Sequence, residues 1–126
     1  MKYLLDTNIL IWFSQNDLRL PEKFREIILN PKNICVVSII SLWEISIKYS
    51  LKRLYLGSPL DLFFSEIERT DFIEILNIKQ SHLLKQATLP FYHRDPFDRL
   101  IFAQAKIEKL KFLYTDDIFD KYEENE

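Results

Sequence analysis

The segment Ile34–Arg53, "ICVVSIISLWEISIKYSLKR", places a short apolar run directly before a longer stretch with helical spacing. Its first five residues are rich in β-branched side chains, which pack well in a buried strand. Ser38 is a preferred N-cap residue, and the apolar residues of the predicted helix follow it at once. The segment therefore predicts one strand and one helix in immediate succession.

The same alternation continues along the chain on both sides of this segment. Short apolar strands that alternate with helices favour an α/β fold, with a mainly parallel sheet of four to five strands covered on both faces. The length of 126 residues suits a single domain, which we assign to residues 1–126. We predict further strands at residues 2–5, 72–77 and 111–114, further helices at 8–15, 21–30, 60–70, 79–89, 99–110 and 117–122, and a frayed tail from Glu123.

The overall charge and the single cysteine limit the environment and the partners of the chain. Seventeen basic and nineteen acidic residues give a net charge of −2, which is unlike a typical nucleic-acid binder, although a local basic strip is sufficient for binding. Cys35 cannot form a disulfide within the chain, which favours a reducing compartment. The N-terminus lacks the features of a signal peptide, and no apolar run is long enough to span a bilayer. We expect a cytoplasmic protein with no membrane partner.

Several kinds of reactive site are excluded by the residues that the chain lacks. The only glycine, Gly57, excludes a dinucleotide-binding motif and a P-loop. Two histidines and one cysteine are too few for the usual zinc sites. No GxSxG motif is present, which argues against a nucleophile-elbow hydrolase. The acidic side chains remain as the candidates for chemistry.

Acidic residues directly follow the first and the last predicted strands. Asp6 comes after "KYLL", and Asp116 and Asp117 come after "KFLY" and Thr115. In a parallel sheet these residues lie at the carboxyl edge, where ligands usually bind. The alternative is that they are ordinary loop or helix-capping aspartates.

Glu44 lies at the border of the apolar stripe of its predicted helix. One interpretation is an exposed pair with Lys48, one helical turn away. The other is a buried carboxylate, because its turn carries almost no other charge, and such a carboxylate is costly without a positive partner. The helical pattern alone leaves both open.

Asp95 and Asp98 stand at the start of the helix that contains residues 99–110. Asp95 before Pro96 fits an N-cap followed by the first helical residue. Asp98 falls in the first turn and shares a face with Ile101 and Phe102, so it points inward, which a capping residue does not require. We interpret Asp95 as mainly a cap and Asp98 as mainly functional.

Four short motifs, taken together, resemble the PIN-domain family, and most closely its VapC-type toxin ribonucleases. They are "LLDTN", "SLWEISIK", "HRDPFDRLIFAQA" and "LYTDD", and they span nearly the whole chain in the family's order. The fourth motif is usually written T-x-D, which selects Asp117, although Asp116 beside it leaves the choice ambiguous by one residue.

The resemblance implies a three-layer α/β/α fold and an endoribonuclease that uses Mg²⁺ or Mn²⁺. It implies a transfer or ribosomal RNA substrate, a homodimer or toxin–antitoxin hetero-oligomer, and a cognate antitoxin whose C-terminal segment enters the active-site groove. The alternatives are a PIN nuclease of RNA processing without an antitoxin, and a catalytically silent PIN-like binding module.

The resemblance also suggests a role for each candidate residue. Asp6 and Asp98 would bind the principal metal ion, and Glu44 and Asp117, or Asp116, would complete its surroundings. Hydrogen bonds to these acids, or simple capping, would be the role of Asn8, Thr115 and Asp95. We expect a positive rim for RNA phosphates, formed by Lys48, Lys52, Arg53, His93, Arg94 and Arg99.

Overall fold

The fold is that of a computed structural model, which describes residues 1–125. The final residue, Glu126, lies outside the described residues, and the predicted frayed tail is helical as far as Asn125. The chain forms, in order, β1 (Lys2–Leu5), α1 (Thr7–Ser14), α2 (Glu22–Leu29), β2 (Ile34–Ser38), α3 (Ile39–Ser50), α4 (Leu60–Glu68), β3 (Ile73–Leu76), α5 (Gln80–Thr88), α6 (Pro96–Ile107), β4 (Lys111–Leu113) and α7 (Ile118–Asn125).

The four strands form one parallel sheet in the order β3-β2-β1-β4. Tyr3 in β1 lies opposite Cys35 in β2 and Lys111 in β4. Because the strands are parallel, their carboxyl ends lie at one edge of the sheet. The predicted α/β class and parallel sheet are confirmed.

Both faces of the sheet are covered, because successive strand residues point to opposite sides. Leu5 packs in one buried cluster with residues of α1, α2 and α4. Leu4 packs in a second cluster with Ile101 and Ala105 of α6. The sheet is therefore the middle of three layers. None of the helices described between residues 1 and 125 is long and apolar enough to cross a membrane.

A buried polar link fixes α6 against the carboxyl end of β2. The Ser38 hydroxyl donates to Gln104 Oε1, and the same hydroxyl accepts from the backbone N–H of Ile40 at 3.0 Å as the cap of α3. Both Ser38 and Gln104 are fully buried. Since buried polar groups are stable only when they are bonded, this link sets the position of α6 and of its N-terminus at the sheet edge.

Candidate active site

Three helices bring carboxylates to the carboxyl edge of the sheet. Asp6 is the N-cap of α1, and its Oδ1 accepts from the backbone N–H of Thr7 at 2.9 Å. Glu44 lies in the second turn of α3, and Asp98 lies in the first turn of α6. Asp95 caps α6 by accepting from the backbone N–H of Phe97 at 2.8 Å, as predicted.

Burial and neighbouring carboxylates perturb the ionisation of both Asp6 and Asp98. Burial raises the pKa of Asp6 to about 7, and repulsion from Asp98, Glu44 and Asp116 adds to the effect, while the N–H of Thr7 opposes it. Burial likewise raises the pKa of Asp98 to about 6. Repulsion from Asp95, Glu44 and Asp116 also raises the Asp98 pKa, and His93 lowers it. We call Asp6, Glu44, Asp98 and Asp116 the acidic group.

Glu44 contributes a carboxylate oxygen with no partner in the described chain. The residue is only 9% exposed, so the buried interpretation of the sequence was the better one. Its Oε2 forms an ion pair with Lys48 Nζ at 3.1 Å, whereas its Oε1 is buried without a hydrogen bond. A buried acceptor left unbonded costs about 1–3 kcal/mol, so this oxygen is open to a ligand.

The position of His93 decides between the two aspartates that follow β4. His93 Nε2 lies 2.8 Å from Asp98 Oδ2 and 3.5 Å from Asp116 Oδ2, so Asp116 faces the acidic group. Asp117 instead lines a separate hollow with Thr115 and Lys23. The structure therefore brings Asp116, and not the motif-based choice Asp117, next to Asp98, and Thr115 lines the same separate hollow as Asp117. The turn that starts α7 decides which carboxylate faces inward, and residue counting cannot show this.

A family model for the PIN domain matches residues 3–125 of the chain. The chain belongs to the PIN-domain family. No curated protein matches it.

Three solved structures share the fold of this PIN domain at low sequence identity. A complex of VapBC2 from Rickettsia felis with a promoter DNA fragment has a TM-score of 0.66 and 21% identity, covering 96% of this chain and 92% of that one. A toxin–antitoxin complex from Klebsiella pneumoniae has a TM-score of 0.63 and 19% identity, covering 91% and 87%. VapC20 of Mycobacterium tuberculosis, described as a toxin that cleaves the sarcin–ricin loop, has a TM-score of 0.66 and 13% identity, covering 94% of both chains.

The sequence motifs did not reveal a buried hydroxyl pair behind the acidic group of this PIN domain. Thr7 Oγ1 and Ser41 Oγ are 2.9 Å apart, and both residues are buried. The pair links α1 to α3 and so fixes the positions of Asp6 and Glu44, each of which is close to it in sequence. Small hydroxyl residues on the apolar faces of both helices were the available signal.

A groove beside Glu44 contains part of the predicted basic rim. Lys48 and Arg53 line this groove, as does Asn8, which was predicted to support the acids but has no hydrogen bond to them. Arg94 is exposed on the loop before α6. The groove is also lined by Arg19 and Trp12, which the motifs did not indicate. The Arg19 guanidinium stacks over the Trp12 ring, with its central carbon 5.2 Å from the ring centroid. We call this surface the basic groove.

Lys52 lies outside the basic groove, which corrects its predicted position. The sequence placed Lys48 and Lys52 on one face of a helix reaching Arg53, but α3 ends at Ser50. Lys52 then adopts a φ of 58°, in the left-handed region, and lines a neighbouring hollow with Tyr55. The helix end therefore separates two lysines that an unbroken helix would have aligned.

Arg99 is not part of a positive rim, because its side chain is buried. The residue is 4% exposed, and its guanidinium donates to the carbonyls of Gln86, Leu89, Pro90 and His93 at 2.8–3.3 Å. A guanidinium whose donors are satisfied inside the protein cannot reach a phosphate on the surface. Its spacing from Phe102 and Ala103, three and four residues later, was the sequence signal for an inward position.

The acidic group fits a hard divalent cation by its chemistry. Carboxylate oxygens are the ligands that Mg²⁺ and Mn²⁺ prefer, and the unbonded Oε1 of Glu44 is available among them. Among residues 1–125, no three acidic, histidine or cysteine side chains already surround a single point where an ion would bind. Like charges repel one another when no cation is present, so we expect these carboxylates to turn inward on binding.

The stability of the metal-free protein should fall as the pH rises from about 4 to about 7. The folded pKa values of Asp6 and Asp98 are above the ordinary value of 3.8, so over this range the unfolded chain releases these protons before the folded one. For Asp6 alone the loss would be roughly 3–4 kcal/mol. Urea unfolding in EDTA across this range measures it.

Divalent cations should reverse this loss, since they bind the deprotonated carboxylates of the folded state. We expect the rise in melting temperature with Mn²⁺ to be larger at pH 7 than at pH 5. An equal rise at both pH values, or none at millimolar metal, would contradict a metal site in the acidic group.

Proposed function

We propose that this PIN domain is a Mg²⁺- or Mn²⁺-dependent endoribonuclease and the toxin of a toxin–antitoxin pair. The observation that carries the proposal is the acidic group, in which burial and carboxylates from distant parts of the chain raise the pKa values of Asp6 and Asp98. Such an arrangement is costly without a compensating cation and is typical of functional sites. The toxin and toxin–antitoxin structures that share this fold support the biological role.

The acidic residues would divide the work of metal binding. Asp6 and Asp98 would hold the principal ion, Glu44 would add its free Oε1, and Asp116 would complete the group. A bound ion would neutralise the scissile phosphate and lower the pKa of an attacking water. Lys48 holds the other oxygen of Glu44 and so fixes the orientation of that carboxylate.

The basic groove would hold the RNA next to the acidic group. Lys48 and Arg53 would contact phosphates, and the aromatic rings of Trp12 and Phe97 in the same groove are suited to stacking on bases. Because the net charge of the whole chain is −2, this local arrangement of cations is needed to attract RNA. The proposed substrate is transfer or ribosomal RNA.

The proposed partners are a cognate antitoxin and a second copy of the chain. The antitoxin's C-terminal segment would enter the groove beside the acidic group and block it. A hollow lined by Ile39, Trp43 and Phe64 supports a homodimer or hetero-oligomer contact, because Trp43 is 56% exposed there. Phe63 beside it is buried in the core.

Induced expression in bacteria tests the proposal. The wild-type protein should arrest growth and produce new RNA ends, whereas Asp6→Asn should do neither. Asparagine retains an oxygen that can accept from Thr7, so α1 keeps its cap while the charge is lost. Asp71→Asn, on the exposed turn before β3, is the matched control and should arrest growth like the wild type.

Arrest by Asp6→Asn at an equal protein level would contradict the nuclease mechanism. Co-expression of a small protein encoded beside the gene should restore growth and form a complex with the wild-type protein. RNA cleavage without such a partner would favour a PIN nuclease of RNA processing. If the wild-type protein causes neither growth arrest nor RNA cleavage, the result would favour a silent binding module. The complete acidic group argues against that alternative.

A further inference from the structure

His93 places a ring nitrogen inside the acidic group and not on a surface rim. Its Nε2 is within 2.8 Å of Asp98 Oδ2 and 3.5 Å of Asp116 Oδ2. The side chain is 15% exposed, and the ring packs against Phe119 with centroids 5.3 Å apart. His93 therefore occupies a defined position in the site, unlike a mobile surface cation.

A backbone hydrogen bond determines which nitrogen of His93 carries the proton. The N–H of Asp95 donates to His93 Nδ1 at 3.2 Å, so Nδ1 must present a lone pair. The neutral ring then has its proton on Nε2, which faces the acidic group. His93 consequently offers the acidic group an N–H donor and not an acceptor.

This donor has no hydrogen-bond acceptor in line with it. Nε2 is buried and lacks a hydrogen bond in the described chain, although Asp98 Oδ2 is near, so the carboxylate stands beside the N–H direction and not along it. The donor is therefore open to an acceptor atom that a bound ligand supplies.

The backbone of His93 is clamped from the other side of the loop. Its N–H donates to the Tyr122 hydroxyl at 3.0 Å, and its carbonyl accepts from Arg99 at 3.3 Å. The same hydroxyl donates to the carbonyl of Pro90 at 2.6 Å. A side chain held in this way keeps its donor in place before any ligand arrives, which is the preorganisation that substrate-contacting groups need.

We propose that His93 contacts the substrate directly, by donating a hydrogen bond from Nε2 to a phosphate oxygen of the bound RNA. This inference rests on the proposed function, because it takes RNA as the ligand of the acidic group. Phosphate oxygens only accept hydrogen bonds, and a phosphate held by the acidic group through a cation would lie within reach of this N–H.

The two histidines of the chain allow a direct NMR test with the full-length protein. His82 is fully buried, bonded to Glu108 at 2.7 Å, and serves as an internal control. In protein with ¹⁵N-labelled histidine, Ca²⁺ is added first, and a short RNA oligonucleotide follows. Ca²⁺ is chosen so that RNA binds without being cleaved. We expect the Nε2–H resonance of His93 to move downfield and exchange more slowly when RNA is added, with His82 unchanged.

The outcomes separate this inference from the proposed function. RNA binding that leaves His93 unchanged, or a change complete with Ca²⁺ alone, would overturn the phosphate contact and leave the nuclease proposal standing. Absence of RNA binding would overturn both.

Two variants at position 93 provide a kinetic test. His93→Gln keeps an N–H on a side chain of comparable reach, and His93→Met removes it. We expect cleavage by His93→Met to fall on the order of 10²-fold in kcat, and by His93→Gln to fall less than 10-fold. The rise in melting temperature with Mn²⁺ should be the same in both variants as in the wild type. A loss of that rise in His93→Met would show that His93 acts on the carboxylates, and would overturn the proposed contact.

Discussion

Asp98→Asn should abolish RNA cleavage and at the same time raise the melting temperature of the metal-free protein. The substitution removes a proposed metal-binding carboxylate, so we expect cleavage to fall by at least about 10³-fold. It also removes the negative charge of the Asp98 carboxylate, whose pKa is raised to about 6 by burial and by neighbouring carboxylates. Relief of that repulsion should add about 1–2 kcal/mol to the stability at pH 7.

The opposite signs of these two effects distinguish a functional carboxylate from a structural one. Thermal unfolding in EDTA and cleavage assays in Mn²⁺ measure them on the same preparations. Asp71→Asn, at an exposed position, is the control and should change neither. A less stable Asp98→Asn protein, or one that retains cleavage, would contradict the assignment of Asp98.

Arg99→Met should strongly destabilise the folded protein. It removes a guanidinium that donates to four backbone carbonyls, those of Gln86, Leu89, Pro90 and His93. The carbonyls of Gln86 and Pro90 keep a second donor, the N–H of Leu89 and the hydroxyl of Tyr122, whereas an acceptor left unpaired costs about 1–3 kcal/mol. We expect a loss of about 3–5 kcal/mol, measured by urea unfolding.

Arg99→Lys should restore only part of this loss, because one ammonium cannot reach carbonyls that a guanidinium spans. Arg94→Met, five residues earlier and exposed, should change the stability by less than about 0.5 kcal/mol. If Arg99→Met were as stable as Arg94→Met, the buried network would not support the loop that carries His93.

The helices and strands of this PIN domain could be predicted because apolar residues recur along each of them at the period of a helix or of a strand. The β-branched run Ile34–Ser38 is a central strand, and Ser38 caps the helix after it, as the sequence indicated. Helix ends were less predictable, because they depend on local backbone choices. The early end of α3 at Ser50 is the example with a consequence, since it moves Lys52 out of the basic groove.

The residues of the candidate site also differ in how well the sequence could predict their positions. Asp6, Glu44 and Asp98 stand on regular elements, so strand order and helical spacing were sufficient to bring them to one edge. Asp116 and His93 stand on loops, where neighbouring residues differ in direction without any period. For loop residues, only the path of the backbone shows which side chain faces the site.

By itself, the sequence determined the α/β class, the parallel sheet, and the edge at which three carboxylates meet, because side-chain periodicity decides which residues are buried. Only the tertiary structure decided that Asp116 lies next to Asp98, that the Arg99 guanidinium binds carbonyls of the preceding loop, and that His93 presents an N–H to the site. The physical reason is that these three depend on contacts between distant segments. Carbonyls, hydroxyls and charged groups from several loops must find hydrogen-bond or ion-pair partners at the same time. A local sequence pattern does not show which groups become partners.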